Sequence, residues 1–301
     1  MISFVEDESP LLREVMAALA PHTGSARDGG GAQVIGITGS PGVGKSTSTN
    51  ALVGQLRKVG KRVGILAVDP SSPFSGGALL GDRVRMQDHA LDPDVYIRSM
   101  ASRGHLGGLA WTTPQALRVL DAAGCDVIVI ETVGVGQSEV EIAGLADTTV
   151  VLLAPGMGDG IQAAKAGILE IGDLYVVNKA DRDGADQVRR DLRSMLALGD
   201  RAEGSWRPPI IKTIAHQGEG IAEVVAEIEN HRAWLASSGE LELRRVRRAR
   251  DEIEAIAVTA LRARWGDVHG RSELDDLAAE VVAGSTDPYA AADELLESVA
   301  Q

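Results

Sequence analysis

Sulfur, aromatic rings and excess positive charge are what this chain has least of. One cysteine, Cys125, stands in 301 residues. It excludes an internal disulfide, leaves too few thiolates for a Cys-based zinc site, and suits a reducing compartment. The six histidines fall at no close ligand spacing, so no transition-metal site is expected. Aromatic residues make up 3%, and the isolated Trp111, Trp206, Trp234 and Trp265 read as packing or interface anchors rather than cofactor boxes. Lys and Arg are outnumbered, giving a formal net charge of −13. Nucleic acid and anionic membranes reward clustered basic residues, so neither is expected as a partner. No apolar run reaches the roughly 20 residues a membrane span needs, and MISFVEDESPLLREV lacks a basic region followed by an apolar one. A cytoplasmic protein is the expectation.

What is present begins with 44% hydrophobic residues, enough for a substantial core. The stretch VIGITGSPGVGKSTSTNALVGQL reads as a strand, a glycine-rich loop and a helix starting near Lys45. Gly39, Gly42 and Gly44 with Lys45 and Ser46 satisfy G-x-x-x-x-G-K-[ST], so Gly39, Ser40, Pro41, Gly42, Val43, Gly44, Lys45, Ser46 and Thr47 form a candidate phosphate cradle. Backbone N–H groups and the positive end of the helix dipole suit a polyphosphate. Lys45 is placed to neutralise phosphate charge, and the Ser46 hydroxyl to ligate Mg²⁺.

Apolar runs then recur between helical patterns: RVGILAVD, VYIRS, DVIVIET, TTVVLLA, LYVVNKA and PIIKTIA. Such Val/Ile/Leu-rich strands belong to a mostly parallel sheet covered on both faces, an α/β fold whose ligands sit beyond the carboxyl ends of the strands. Asp69 ends the second strand, and Asp82 follows in a Gly/Ser/Pro-rich loop; both are candidate Mg²⁺ ligands. Glu131 ends the fourth strand, and Glu131-Thr132-Val133-Gly134 fits a D/E-x-x-G switch, in which Gly134 approaches the γ phosphate. Val135 stands where many signalling GTPases carry a water-positioning glutamine, so unaided hydrolysis is expected to be slow. Asn178-Lys179-Ala180-Asp181 matches N-K-x-D. The Asp181 carboxylate can accept both the N1–H and N2–H of guanine, a donor pair adenine lacks, which favours GTP over ATP. Thr213, Ile214 and Ala215 are candidates for a last purine contact. The loop 155–173 brings Asp159, Gln162 and Lys165 to the strand-end side and has the composition of a moving segment.

Residues 9–20 place apolar side chains at helical spacing with Ser9 as cap. From Gly220 onward the period is helical again, in three stretches, of which ELELRRVRRARDEIEAIAVTALRARWG reads as a charged arm with a salt-bridged surface. The expected organisation is a helical extension over 1–30, a P-loop nucleotide domain over 31–235 and a helical region over 236–301.

The strings TGSPGVGKST, DPSSPFSGGALLGDRVRM, ETVGVGQSE, PGMGDGIQAAKAGILEIGD and NKAD, in that order, resemble the MeaB/ArgK family of GTPases, chaperones associated with methylmalonyl-CoA mutase. The resemblance runs from about residue 10 into the C-terminal helices. It implies that Asp69, Asp82 and Glu131 form an acidic metal shell. It also implies that 155–173 is a third switch, linking nucleotide state to a mutase through Asp159, Gln162 and Lys165, and that the C-terminal helices make a homodimer. Lys45, Glu131 and Lys165 are then the candidate catalytic groups, with GTP/GDP and Mg²⁺ as cofactors and an acyl-CoA mutase as partner. The implied work is gating the delivery of adenosylcobalamin and protecting the mutase. Ala78 and Arg83 depart from the family's usual serine and lysine. A metal-delivery maturation GTPase, or an ATP-dependent kinase linked to amino-acid transport, would share part of this motif set.

Overall fold

The computed structural model describes residues 1–6, 9–27, 30–70, 86–102, 112–132, 138–156, 170–198, 202, 204–265 and 272–299. Its seven strands are β1 (Gln33–Thr38), β2 (Val63–Pro70), β3 (Val95–Ser102), β4 (Val127–Thr132), β5 (Thr148–Leu153), β6 (Leu174–Val177) and β7 (Ile210–Lys212). They form one sheet in the order β3-β2-β4-β1-β5-β6-β7, and every pairing is parallel. The helices are α1 (Ile2–Glu6), α2 (Leu12–Leu19), α3 (Lys45–Lys58), α4 (Thr113–Ala122), α5 (Ser138–Leu145), α6 (Ala185–Leu196), α7 (Ile221–Ser238), α8 (Glu240–Trp265), α9 (Ser272–Ala283) and α10 (Pro288–Val299).

Period-two alternation sorts each strand between the two faces. Ile35, Ile37, Val127, Val129 and Leu152 pack with Leu52, Val53 and Leu56 of α3 and with Val224 and Ile228 of α7. Their neighbours Val34, Ile128 and Ile130 pack on the other face with Ile2 and Val5 of α1, Leu117 and Leu120 of α4, and Ile142 of α5. Toward the far edge, Val151, Leu153, Tyr175 and Val177 bury Val188 and Leu192 of α6. Both faces are therefore dry, which is why the strands read as continuous apolar runs. Cys125 belongs to this interior, and burial pushes its thiol up to about 11, so it stays protonated and inert.

The amino-terminal helix begins later than its sequence pattern predicts. Ser9 does not cap it: its Oγ accepts from the Leu11 amide at 3.3 Å and its carbonyl from the Leu12 amide at 2.9 Å, closing a turn ahead of α2. Pro10 lies within that turn, where its fixed φ is suited and its missing N–H costs no helix bond. The short α1 has no counterpart in the sequence pattern. It is held by burial of Ile2 and Val5 and by an ion pair from Glu6 to Arg98 of β3.

At the amino ends of the strands lies a buried charge cluster. Asp173, just before β6, receives Arg244 through two bonds of 2.9 Å and the Thr149 amide at 2.8 Å. Asp147, just before β5, accepts from the Val34 amide at 3.0 Å and pairs with Arg245 at 3.0 Å. The arginines expected on a salt-bridged helix surface thus turn the start of α8 onto the sheet. His231, fully buried on α7, meets Thr148 Oγ1 at 2.9 Å through Nδ1, while its Nε2 lies 3.4 Å from Asp173. Its ring forms a cluster with Trp206 and Trp234, the three centroids lying 4.8, 5.8 and 5.9 Å apart. Burial drives its pKa down to about 4 against the pull of Asp173, so the imidazole is neutral.

Met1–Arg245 and Val246–Gln301 are two compact units. In the second, α9 and α10 bury Leu277 and Ala291. One helical stretch in the sequence is here two helices: Gly284, with φ 73°, ends α9, and Asp287 caps α10 by accepting from the Tyr289 amide at 2.9 Å.

Candidate nucleotide site

Beyond the carboxyl ends of β1, β4, β6 and β7, three polar segments converge. The loop leaving β1 needs glycine at two places. Gly39 has φ 139°, and a Cβ there would collide with the Leu152 carbonyl oxygen of β5; Gly44 has φ 97°, and a Cβ would stand 2.5 Å from Asn178 Nδ2. The backbone can therefore press against both neighbours and reach the first turn of α3 with its N–H groups turned toward the loop, the geometry that holds an anion. Lys45 is buried, and its ammonium donates to the carbonyls of Gly39 at 2.5 Å and Ser40 at 3.2 Å. This keeps the cation inside the loop. Val43 is buried beneath it, while Pro41, Gly42 and Thr47 face outward.

Glu131 stands at the tip of β4, one strand from the loop, because β1 and β4 are in register at Ile37 and Glu131. Its carboxylate is buried and accepts from the Ser46 hydroxyl at 2.6 Å. A hydroxyl and a carboxylate at that separation are the hard oxygen donors that Mg²⁺ selects. Ser46 and Glu131 fit such an ion. Of the expected acidic shell, Asp69 has its backbone in β2, opposite Ala101; its side chain and all of Asp82 lie outside the described residues. So do Gly134, Asp159, Gln162, Lys165, Ala78 and Arg83.

The segment after β6 is bolted to the loop. Asn178 is buried, donates to the Val43 carbonyl at 2.8 Å, and accepts from Thr213 Oγ1 at 3.2 Å and the Ala215 amide at 3.1 Å. One amide thus ties together the ends of β1, β6 and β7. Lys179 is the one non-glycine residue of positive φ, 57°, among the described residues. The strain is held by its Nζ bond to the Gly42 carbonyl at 2.7 Å and by the Ala180 amide bond to Thr213 at 3.0 Å. Asp181 follows with an exposed carboxylate. Thr213 and Ala215 are buried and Ile214 half-buried, so two of these last candidates brace Asn178.

Two contributors escape a reading of the sequence alone. Thr38 and Thr132, both fully buried, end β1 and β4 and share a hydroxyl bond of 3.3 Å. The signal that marks Glu131, a polar residue closing an apolar run, applies equally to Thr38.

The profile of the family described as Methylmalonyl Co-A mutase-associated GTPase MeaB matches residues 1–267. A Pyrococcus abyssi protein is 46% identical over 301 residues, covering 99% of this chain and 91% of its own. The GTPase ArgK of Escherichia coli is 37% identical over 248 residues, 80% of this chain and 73% of its own. The mouse protein named methylmalonic aciduria type A homolog, mitochondrial, is 42% identical over 214 residues, 70% of this chain and 52% of its own. Among solved structures, that of an LAO/AO transport system kinase superposes with a TM-score of 0.75 at 26% identity, covering 100% of this chain and 91% of the other. A nickel-bound HypB from Helicobacter pylori, at 17% identity and TM-score 0.50 over 74% of this chain and 94% of its own, shares the fold.

Proposed function

Because the chain belongs to the methylmalonyl-CoA mutase-associated GTPase family MeaB, we propose that it binds GTP with Mg²⁺, hydrolyses it slowly, and uses the cycle to gate adenosylcobalamin loading and protection of methylmalonyl-CoA mutase or a related acyl-CoA mutase. It acts as a cytoplasmic homodimer joined through the C-terminal helices. The observation that carries the nucleotide reading is the three-way tie at Asn178, which fixes the guanine-reading segment against the phosphate loop.

Each residue then has a task. Loop amides and the dipole of α3 hold the phosphates, and Lys45 compensates their charge. Ser46 and Glu131 hold the metal directly or through its water. Bound there, Mg²⁺ neutralises charge on the β and γ phosphates. Asp181 accepts the two guanine donors, while Lys179 covers the loop. With Val135 in place of a glutamine, intrinsic turnover is on the order of 10⁻² s⁻¹ or slower. The γ phosphate orders the segments that carry Gly134 and Lys165, hydrolysis releases them, and a bound mutase responds to the difference. A kinase reading follows only from the name of one solved relative; the Asp181 carboxylate argues for guanine.

The test is GTP turnover with and without the mutase. Acceleration on adding the mutase supports the proposal, and identical rates with a mutase that has been shown to bind would contradict it.

A further inference from the structure

Away from the nucleotide site, a cavity of about 680 Å³ opens beside the sheet edge, between the last turn of α6 and the segment entering β7. Its walls are apolar, formed by Leu196, Pro208, Pro209 and Ile210, and it is also lined by Arg193 and Arg207. Neither guanidinium has a hydrogen-bond or ion-pair partner among the described residues. Nearby polar groups on the same elements are matched: Arg190 bonds Gln187 at 2.7 Å, and Lys212 pairs with Asp186 at 3.0 Å. One turn before Arg193, the buried Nε of Arg189 is also unpartnered. Arg193 and Arg207 are both exposed, so their guanidinia are accessible to a ligand.

We propose that this cavity binds an amphipathic organic anion. Its carboxylate, sulfonate or phosphate monoester lies against Arg193 and Arg207, and its apolar body rests on the proline and leucine wall. The cavity is open to solvent on one side, and its volume admits a small organic molecule lying along the wall. Planar guanidinium forks match oxyanions in two-point geometry, and the proline and leucine side chains offer apolar surface to an aliphatic body. The site is independent of the nucleotide reading, since it shares no residue with it.

Hexanoate is a suitable probe, with hexanol lacking the charge and sulfate lacking the apolar body. Titrations of the full chain are followed through the arginine Nε–H resonances in ¹⁵N spectra. Saturable shifts at Arg193 and Arg207 are expected with hexanoate, at an affinity at least about ten-fold above either control. In Arg193→Gln/Arg207→Gln, with an unchanged melting temperature, that binding should be lost. Arg207→Lys, which keeps the charge, should retain part of it. Equal responses to all three probes, or hexanoate binding that survives in the double variant, would overturn the proposal. Both outcomes are readable whether or not the protein binds GTP.

Discussion

Asp181 and Asn178 stand three positions apart and do different work. On the proposed function, the exposed Asp181 carboxylate accepts from the two adjacent donors of guanine, a pair adenine lacks. In Asp181→Asn one acceptor becomes a donor, which suits xanthine in place of guanine. Affinity for GTP should fall by roughly 100-fold or more while xanthosine triphosphate gains; competition against a labelled nucleotide reads both. Asn178 is structural: Asn178→Ala leaves the Val43 carbonyl, the Thr213 hydroxyl and the Ala215 amide without their partner. About 2–3 kcal/mol of stability should be lost, measurable by urea unfolding, with weaker binding of every nucleotide rather than altered choice among them. That Lys45, Ser46, Glu131 and Asp181 are candidate site residues is legible in the sequence because contiguous motifs carry them. That Asn178 braces the phosphate loop is not, since its partner lies 135 positions away and only the parallel sheet brings the two strand ends together.

Among the elements, the strands are the most legible part. Burial on both faces writes itself as Val/Ile/Leu runs, whereas the cluster under the sheet depends on pairings such as Arg244 with Asp173, 71 positions apart. Local charge pattern on α8 shows only that acids and bases alternate; it does not show which arginines turn inward. Asp173→Asn leaves Arg244 half-buried and short of its counter-charge, and should cost about 3–5 kcal/mol, seen as a lower melting temperature. His231 adds a pH dependence. Its folded pKa of about 4 lies below the ordinary value of 6.5, so between those values the unfolded chain binds the extra proton. Its contribution is complete above pH 6.5 and is lost as pH falls toward 4, by up to roughly 3 kcal/mol. Unfolding free energies across that window should fall less steeply for His231→Gln than for the parent.

On the scale of the whole molecule, the proposed homodimer makes the exposed apolar side chains of α8 a place to test. Along α8, Val246 and Ile253 are 56% and 67% exposed and lie seven positions apart, the repeat by which two helices meet. If the homodimer forms there, Val246→Asp/Ile253→Asp should halve the mass seen by sedimentation equilibrium while leaving guanine-nucleotide affinity unchanged, because neither residue belongs to the nucleotide site. A mass that does not move would place the interface elsewhere.

The central claim of the proposed function is that the tied strand ends hold a guanine nucleotide with magnesium. Isothermal titration calorimetry of the full chain in Mg²⁺ buffer tests it directly. Saturable uptake of one GTP per chain, with no heat from ATP at the same concentrations, is the predicted result; equal binding of the two, or binding of neither by folded protein, would contradict it.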